Sequence, residues 1–171
     1  FVPYFIYRDP RDVVVSHVFY VTDMEARHVH HAYYASLPDF GERLMTSILG
    51  RAGGDVEFPD IAARFTPYMG WLERPEVLSL HFEDLVHDRP AALERILEHF
   101  LRRVPLTSLA ARRPDVLAAL EASINPKRSP TYRSGRTGEW KQHFTPQHKE
   151  AFKRVSGDLL VRLGYEQGHD W

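Results

Sequence analysis

An α/β fold with a parallel sheet flanked by helices is the architecture this sequence predicts. Two short apolar runs, Tyr4–Tyr7 and Val77–Phe82, have the length and composition of strands. Each is followed by a helix signal, and a repeated strand-then-helix order points to parallel βα units. Most of the remaining chain carries apolar residues at three- and four-residue spacing, so the expected fold is helix-rich with few strands.

Tyr4–Tyr7 reads as a buried strand because all its residues are aromatic or β-branched. Asp9 and Pro10 then mark a helix start, an acceptor at the N-cap followed by a ring already set to helical φ. Val13, Val14, Val15, Val18 and Phe19 give that helix a broad apolar face. Residues 23–36 are expected to form a loop. A second helix begins near Pro38, with Phe40, Leu44 and Ile48 four residues apart, and the glycines from Gly50 to Gly54 break it. A third runs from about Pro59 through Ile61, Phe65 and Tyr68 to Trp71. The strand Val77–Phe82 is expected to close at Glu83-Asp84. Asp88 and Pro90 open a helix carrying Leu93, Leu97 and Phe100, and a shorter one follows Pro114. Residues 125–137 form a basic loop rich in Pro, Ser and Gly. Thr145-Pro146 caps a last helix lined by Phe152, Val155, Leu159 and Leu163, with Gly164 as its stop. Two strands make a poor sheet, and the chain enters its first strand almost at once. The expectation is therefore a C-terminal portion of one domain spanning residues 1–171, with further strands upstream.

Composition narrows the function. The 171 residues carry a formal net charge of −1, so no global field draws the chain to nucleic acid, and any bound anion must be held by a few local cations. No apolar stretch approaches membrane-spanning length. Cysteine is absent, which excludes disulfides, thiolate metal sites and a cysteine nucleophile and fits a cytoplasmic location.

Two constellations carry chemistry. The first, Arg8-Asp-Pro-Arg-Asp-Val-Val-Val-Ser16, sits where a strand ends and a helix begins, the place where ligands collect in open α/β sheets. Free N–H groups and a positive dipole end favour an anion there. Arg8 offers a planar fork for a phosphate, and Ser16 a hydroxyl two turns on. The simpler reading makes Arg8 and Arg11 surface charges paired with Asp9 and Asp12. The second constellation is Tyr132-Arg-Ser-Gly-Arg-Thr-Gly-Glu-Trp-Lys141. Gly135 and Gly138 allow close backbone approach, Arg133, Arg136 and Lys141 bring positive charge, and Trp140 would anchor the loop in the core. Read alone, it is equally a solvated basic loop, and it lacks the spacing of a phosphate-wrapping P-loop.

Taken together, Arg8 to Ser16, then Val77-Leu-Ser-Leu-His-Phe-Glu-Asp-Leu85, then Arg133-Ser-Gly with Gly138-Glu-Trp-Lys141, the chain resembles sulfotransferases that use phosphoadenosine phosphosulfate (PAPS). The resemblance covers nearly all of it. That family has an Arg-(Asp/Asn)-Pro-(Arg/Lys)-Asp-x-x-x-Ser segment after a strand, a Val-Leu-x-Leu-x-Tyr-Glu-Asp strand and a late Arg-Lys-Gly-x-x-Gly-Asp-Trp-Lys loop. The resemblance implies a P-loop-NTPase-like α/β fold and transfer of a sulfuryl group from PAPS to a hydroxyl or amine of a small-molecule or glycan acceptor. It implies that Arg8 and Ser16 contact the 3′-phosphate, that Arg133, Ser134 and Gly135 belong to the loop closing over it, and that Phe82 lies at the adenine. Phe82 replaces a tyrosine and loses its hydroxyl. Ser134 replaces a lysine and leaves the loop one cation weaker. The family's phosphosulfate loop, a Pro-Lys-x-Gly-Thr stretch, is not in this sequence, and its catalytic base is expected upstream. No catalytic residue is therefore assigned within the chain, which alone is expected to be inactive.

Lys141-x-x-x-Thr145-x-x-x-x-Glu150 resembles a homodimerisation segment of the same family, with Pro146 in place of valine; a capped helix start is the simpler reading. His28, His30 and His31 lack the carboxylate pattern of a metal site and read as surface or lid residues, so no metal is expected. Glu83 and Asp84 read as hydrogen-bonded carboxylates that shape their loop. Two rival readings stay open: a nucleotide- or phosphate-binding α/β module related to kinases, and a helical interaction protein whose arginines are solvated surface.

Overall fold

Backbone N–H and C=O groups need partners, and the two apolar runs find them in each other. In the computed structural model, which describes residues 1–53 and 57–171, β1 (Tyr4–Tyr7) pairs in parallel with β2 (Leu78–His81), with Tyr4 opposite Leu78 and Tyr7 opposite His81. The helices, in chain order, are α1 (Pro10–Phe19), α2 (His31–Ser36), α3 (Phe40–Leu49), α4 (Ile61–Met69), α5 (Phe82–His87), α6 (Arg89–Arg103), α7 (Thr107–Ala111), α8 (Arg113–Ser123), α9 (Trp140–His143), α10 (Pro146–Ser156) and α11 (Leu159–Arg162). Two compact units emerge: Phe1–Arg8 with Gly70–Thr137, and Asp9–Met69 with Gly138–Trp171.

The first unit holds the sheet. Leu80 of β2 and Ala92, Leu93 and Leu97 of α6 are among its buried apolar residues. The amphipathic face of α6 lies against β2, and polar bonds reinforce it: the Tyr4 hydroxyl donates to the Ile96 carbonyl at 3.4 Å, and Arg95 to the Ser79 carbonyl at 3.4 Å. Asp88 caps α6 by accepting from the Ala91 amide. β1 is half-buried rather than buried, with Ile6 47% exposed, because among the described residues it has only one neighbouring strand. The second strand also ends earlier than expected. Phe82 opens α5 instead, and Glu83 and Asp84 sit in its first turn, where negative charge favours the helix. Asp84 is the partner of Arg95 at 3.2 Å. α7 has no N-cap side chain and was not anticipated.

The second unit is built on α1. Asp9 caps it by accepting from the Arg11 amide at 2.9 Å, and Pro10 takes the first helical position. Val14, Val15 and Val18 pack with Leu44 and Ile48 of α3, Trp140 of α9, Phe144, and Ala151 and Phe152 of α10. Residues 23–36 are not a plain loop: α1 widens into a π-turn at Tyr20–Met24, and α2 follows. The last expected helix is split. Gly157, at φ 54°, ends α10, and α11 carries on the burial of Leu159 and Leu160. The expected break after α3 begins at Gly50, whose φ is 75°; Gly54 lies outside the described residues. A side chain at Gly50 would meet the Phe58 carbonyl at 2.4 Å. Arg51 and Phe58 exchange backbone bonds of 2.6 and 2.9 Å in an antiparallel bridge.

Arg11 is not a surface charge. Its guanidinium lies 4.0 Å from the Trp140 ring and 4.7 Å from that of Trp171, bonds Asp9 through two nitrogens, and reaches Glu166 at 2.5 Å. Removing one partner of a buried pair strands the other charge. Arg11→Met is expected to lower unfolding stability by about 3–5 kcal/mol, measured by urea denaturation. Arg95→Ala, at a half-exposed pair, is expected to change it by less than about 1 kcal/mol.

Candidate nucleotide-binding site

Within the first unit, the structure brings together Arg8, Phe82 and the basic loop, which the sequence spreads over 128 positions. Arg8 ends β1 and donates to the Arg136 carbonyl at 2.6 Å. Its guanidinium carbon lies 5.3 Å from the centre of the Phe82 ring, at the first position of α5. Cation–π attraction and the carbonyl bond together fix the plane of the fork. The loop is shaped by its own residues. Gly135 takes φ 65°, and a side chain there would meet the Tyr132 ring at 3.1 Å. The Tyr132 hydroxyl donates to the Ser134 carbonyl at 3.3 Å, and the Arg136 amide to the Ser134 hydroxyl at 3.4 Å. At the far end of α5, His87 Nε2 lies 2.7 Å from the Thr137 hydroxyl. Arg133, Ser134 and Gly135 are half-buried, and Arg136 is exposed. A planar cation beside an aromatic face and a glycine-opened loop is chemically suited to a phosphate next to a purine.

In the second unit, Ser16 is half-buried on α1. Four residues earlier, Asp12 is buried, and its carboxylate accepts from the Gly138 amide at 2.6 Å and the Trp140 amide at 3.0 Å. It therefore caps α9, and it is not simply the surface partner of an arginine. Trp140 is buried as the sequence implied. Thr145 caps α10 in a capping box with His148, whose Nε2 lies 3.0 Å from the Gly41 carbonyl oxygen. The Thr145 hydroxyl is thus engaged inside the chain.

The second unit also gathers histidines. His17 stacks on Phe58 with ring centres 4.7 Å apart, its Nδ1 is 3.1 Å from the Ser47 hydroxyl, and the rings of His28 and His30 are 6.1 and 6.4 Å away. His30 is buried, and His31 Nδ1 lies 2.7 Å from the Val21 carbonyl oxygen, so these are packed residues more than surface ones. Arg64 donates to the Ser47 carbonyl and lies over Phe58. Among the described residues no group of three or more ligating side chains is placed to hold a metal ion. Burial pushes His17 down to about 3, helped by the charge of Arg64 and by His28 and His30. Burial lifts the Tyr34 phenol to about 12.

Comparison with known proteins decides what kind of chain this is. Residues 5–164 match the description of a sulfotransferase domain. The chain belongs to the sulfotransferase family. It is 30% identical over 167 residues to human Sulfotransferase 1E1, a match covering 88% of this chain and 52% of that protein. It is 26% identical over 166 residues to the Cavia porcellus protein of the same name, covering 87% and 51%. This sulfotransferase-family chain thus spans about half the length of the curated relatives it matches. Among the described residues no helix is long and apolar enough to cross a membrane. Sequence reasoning passed over two groups in this family member. Asp12 was seen only as a charge partner, and His87 not at all; neither reaches its bonding partners through any local spacing pattern.

The histidine packing has a pH consequence. His17 is neutral in the folded state down to about 3, while in the unfolded chain it takes a proton near its ordinary 6.5. Between those values the unfolded state binds more protons, so stability is fully present above about 6.5 and is lost as pH falls towards 3. The urea midpoint is expected to drop over that window, and to drop less steeply in His17→Phe, which keeps the stack on Phe58. Parallel pH profiles for the two proteins would contradict the assignment.

Proposed function

We propose that the whole protein transfers a sulfuryl group from PAPS to a hydroxyl or amine of a small-molecule or glycan acceptor, and that this chain supplies the part that binds the donor's 3′-phosphate. The observation that carries the reading is the convergence of Arg8, Phe82 and the 132–137 loop, since these are residues for which the family resemblance implies nucleotide contact. Membership of the sulfotransferase family supports it, as does the name of the two relatives. In this proposal Arg8 and Arg133 neutralise the phosphate, Ser134 and Gly135 contribute hydroxyl and backbone contacts, and the Phe82 face receives the adenine. Ser16 is assigned to the same phosphate by resemblance. A purine stacked on Phe82 next to Arg8 is held by dispersion and cation–π attraction without the hydrogen bond that a tyrosine would add. No residue of 1–171 is assigned to the reacting sulfuryl group, and none is proposed as catalytic base.

The proposal treats both compact units as parts of one sulfotransferase domain, supported by a family match that runs through residues 5–164. It includes a P-loop-NTPase-like sheet and a cytoplasmic setting, which the cysteine-free composition fits. Dimerisation through Lys141–Glu150 has less support, because Thr145 already caps α10 within the chain.

Ligand preference tests the reading. The full-length protein is expected to bind 3′,5′-adenosine bisphosphate well above ATP by calorimetry, and Arg8→Ala to raise the dissociation constant tenfold or more, the effect of losing a charge-assisted contact of about 1.5–3 kcal/mol. The nucleotide is also expected to slow amide exchange across residues 128–138, with ATP or sulfate doing much less. A preference for ATP would favour the kinase-like module, and binding of neither nucleotide a chain whose arginines are only surface.

A further inference from the structure

The Arg136–Thr137 step of the basic loop is held from two directions within the first unit, and both holds trace to α5. The Arg136 carbonyl accepts from Arg8, whose guanidinium lies over Phe82 at the start of α5. The very next residue, Thr137, meets His87, the last residue of α5, at 2.7 Å. One short helix therefore carries the aromatic face under the arginine and the side chain that fastens the loop. The Arg136 carbonyl is one of the groups that orient Arg8, beside the Phe82 ring, and Arg136 itself is exposed, with its amide in a long 3.4 Å bond to Ser134. The His87–Thr137 bond adds a restraint one peptide away.

We propose that His87 is a positioning residue for nucleotide binding: by fastening Thr137 to the end of α5 it sets the Arg136 carbonyl, and through that carbonyl the plane of the Arg8 guanidinium. The inference rests on the proposed 3′-phosphate role of Arg8. Either ring state of His87 serves. Neutral imidazole either donates its Nε2 proton to the threonine oxygen or accepts the hydroxyl proton, and imidazolium donates. The bond is solvent-exposed and lies at a helix end, so the substituted proteins are expected to fold with an unchanged urea midpoint.

The test is a double-mutant cycle on the full-length protein, read by calorimetry with 3′,5′-adenosine bisphosphate. His87→Ala and Thr137→Val are each expected to raise the dissociation constant about three- to tenfold, the range expected of one hydrogen bond. The double variant should be no worse than either single one within about twofold, because both remove the same bond. His87→Gln, which restores a donor and acceptor at similar reach, should recover most of the affinity. Amide exchange at residues 136 and 137 should quicken in His87→Ala without ligand. Unchanged affinity in His87→Ala, or effects of the two single substitutions that simply multiply in the double, would overturn the inference and leave the nucleotide reading standing. Failure of the wild-type protein to bind the bisphosphate would overturn both.

Discussion

A carboxylate taken out of water must be met by hydrogen-bond donors, and the start of α1 is organised by that requirement. Asp12 is buried and is met by the amides of Gly138 and Trp140. Charge-assisted bonds of this kind are about twice as strong as neutral ones, and leaving such a carboxylate unmet would cost several kcal/mol. The chain from Gly138 to Trp140 therefore has one place in its unit where it can sit. Trp140, so placed, closes over the Arg11 guanidinium, which in turn neutralises Asp9, the cap of α1. Pro10, Arg11 and Asp12 are all buried as a result. A helix start, normally a solvated place, becomes part of the interior, and the valines that follow inherit a fixed orientation against α3 and α10.

The first unit solves a different problem, that of presenting a basic loop without a hydrophobic core beneath it. Residues 125–137 contribute no buried side chain. Their order comes from local polar bonds and from α5, whose first-turn acids, Glu83 and Asp84, complement the helix's own dipole. Family membership and this geometry are separate observations. One follows from the match over residues 5–164, and the other from where Arg8 meets Phe82 and Arg136.

Features stated by adjacent residues were legible in the sequence. Asp9-Pro10 and Asp88-Arg89-Pro90 announced their helices, Tyr4–Tyr7 its strand, and Trp140 its burial, because each signal acts within a turn or two of the chain. The end of β2 was misplaced because Leu80-His81-Phe82 keeps a strand-like apolar run past the point where the backbone turns into α5, with no glycine or proline at the boundary. The split after Ser156 was missed for the opposite reason. Gly157 was present, but the apolar spacing continued across it, and burial of Leu159 and Leu160 preserves the pattern while the backbone breaks. Arg8, Phe82 and the loop became candidates through resemblance, since no local periodicity relates residues so far apart, and the structure brings Arg8 to Phe82 and to the Arg136 carbonyl. Asp12 and His87 lay beyond both routes. Their bonds go to two backbone amides and to a hydroxyl, groups that many positions offer, so nothing in composition singles out the partners.

The bridge between Arg51 and Phe58 separates two demands that a chain usually meets together. Phe58 must stay where His17 stacks on it and Arg64 lies over it, and the paired backbone bonds at residues 51 and 58, with Gly50 turned to pass beneath them, hold it there. The closure entropy of the enclosed segment grows only with the logarithm of its length. The length of the intervening sequence is thus a weak lever on the aromatic packing around Phe58. The sequence enclosed by the bridge and the packing of Phe58 are in that sense separate choices.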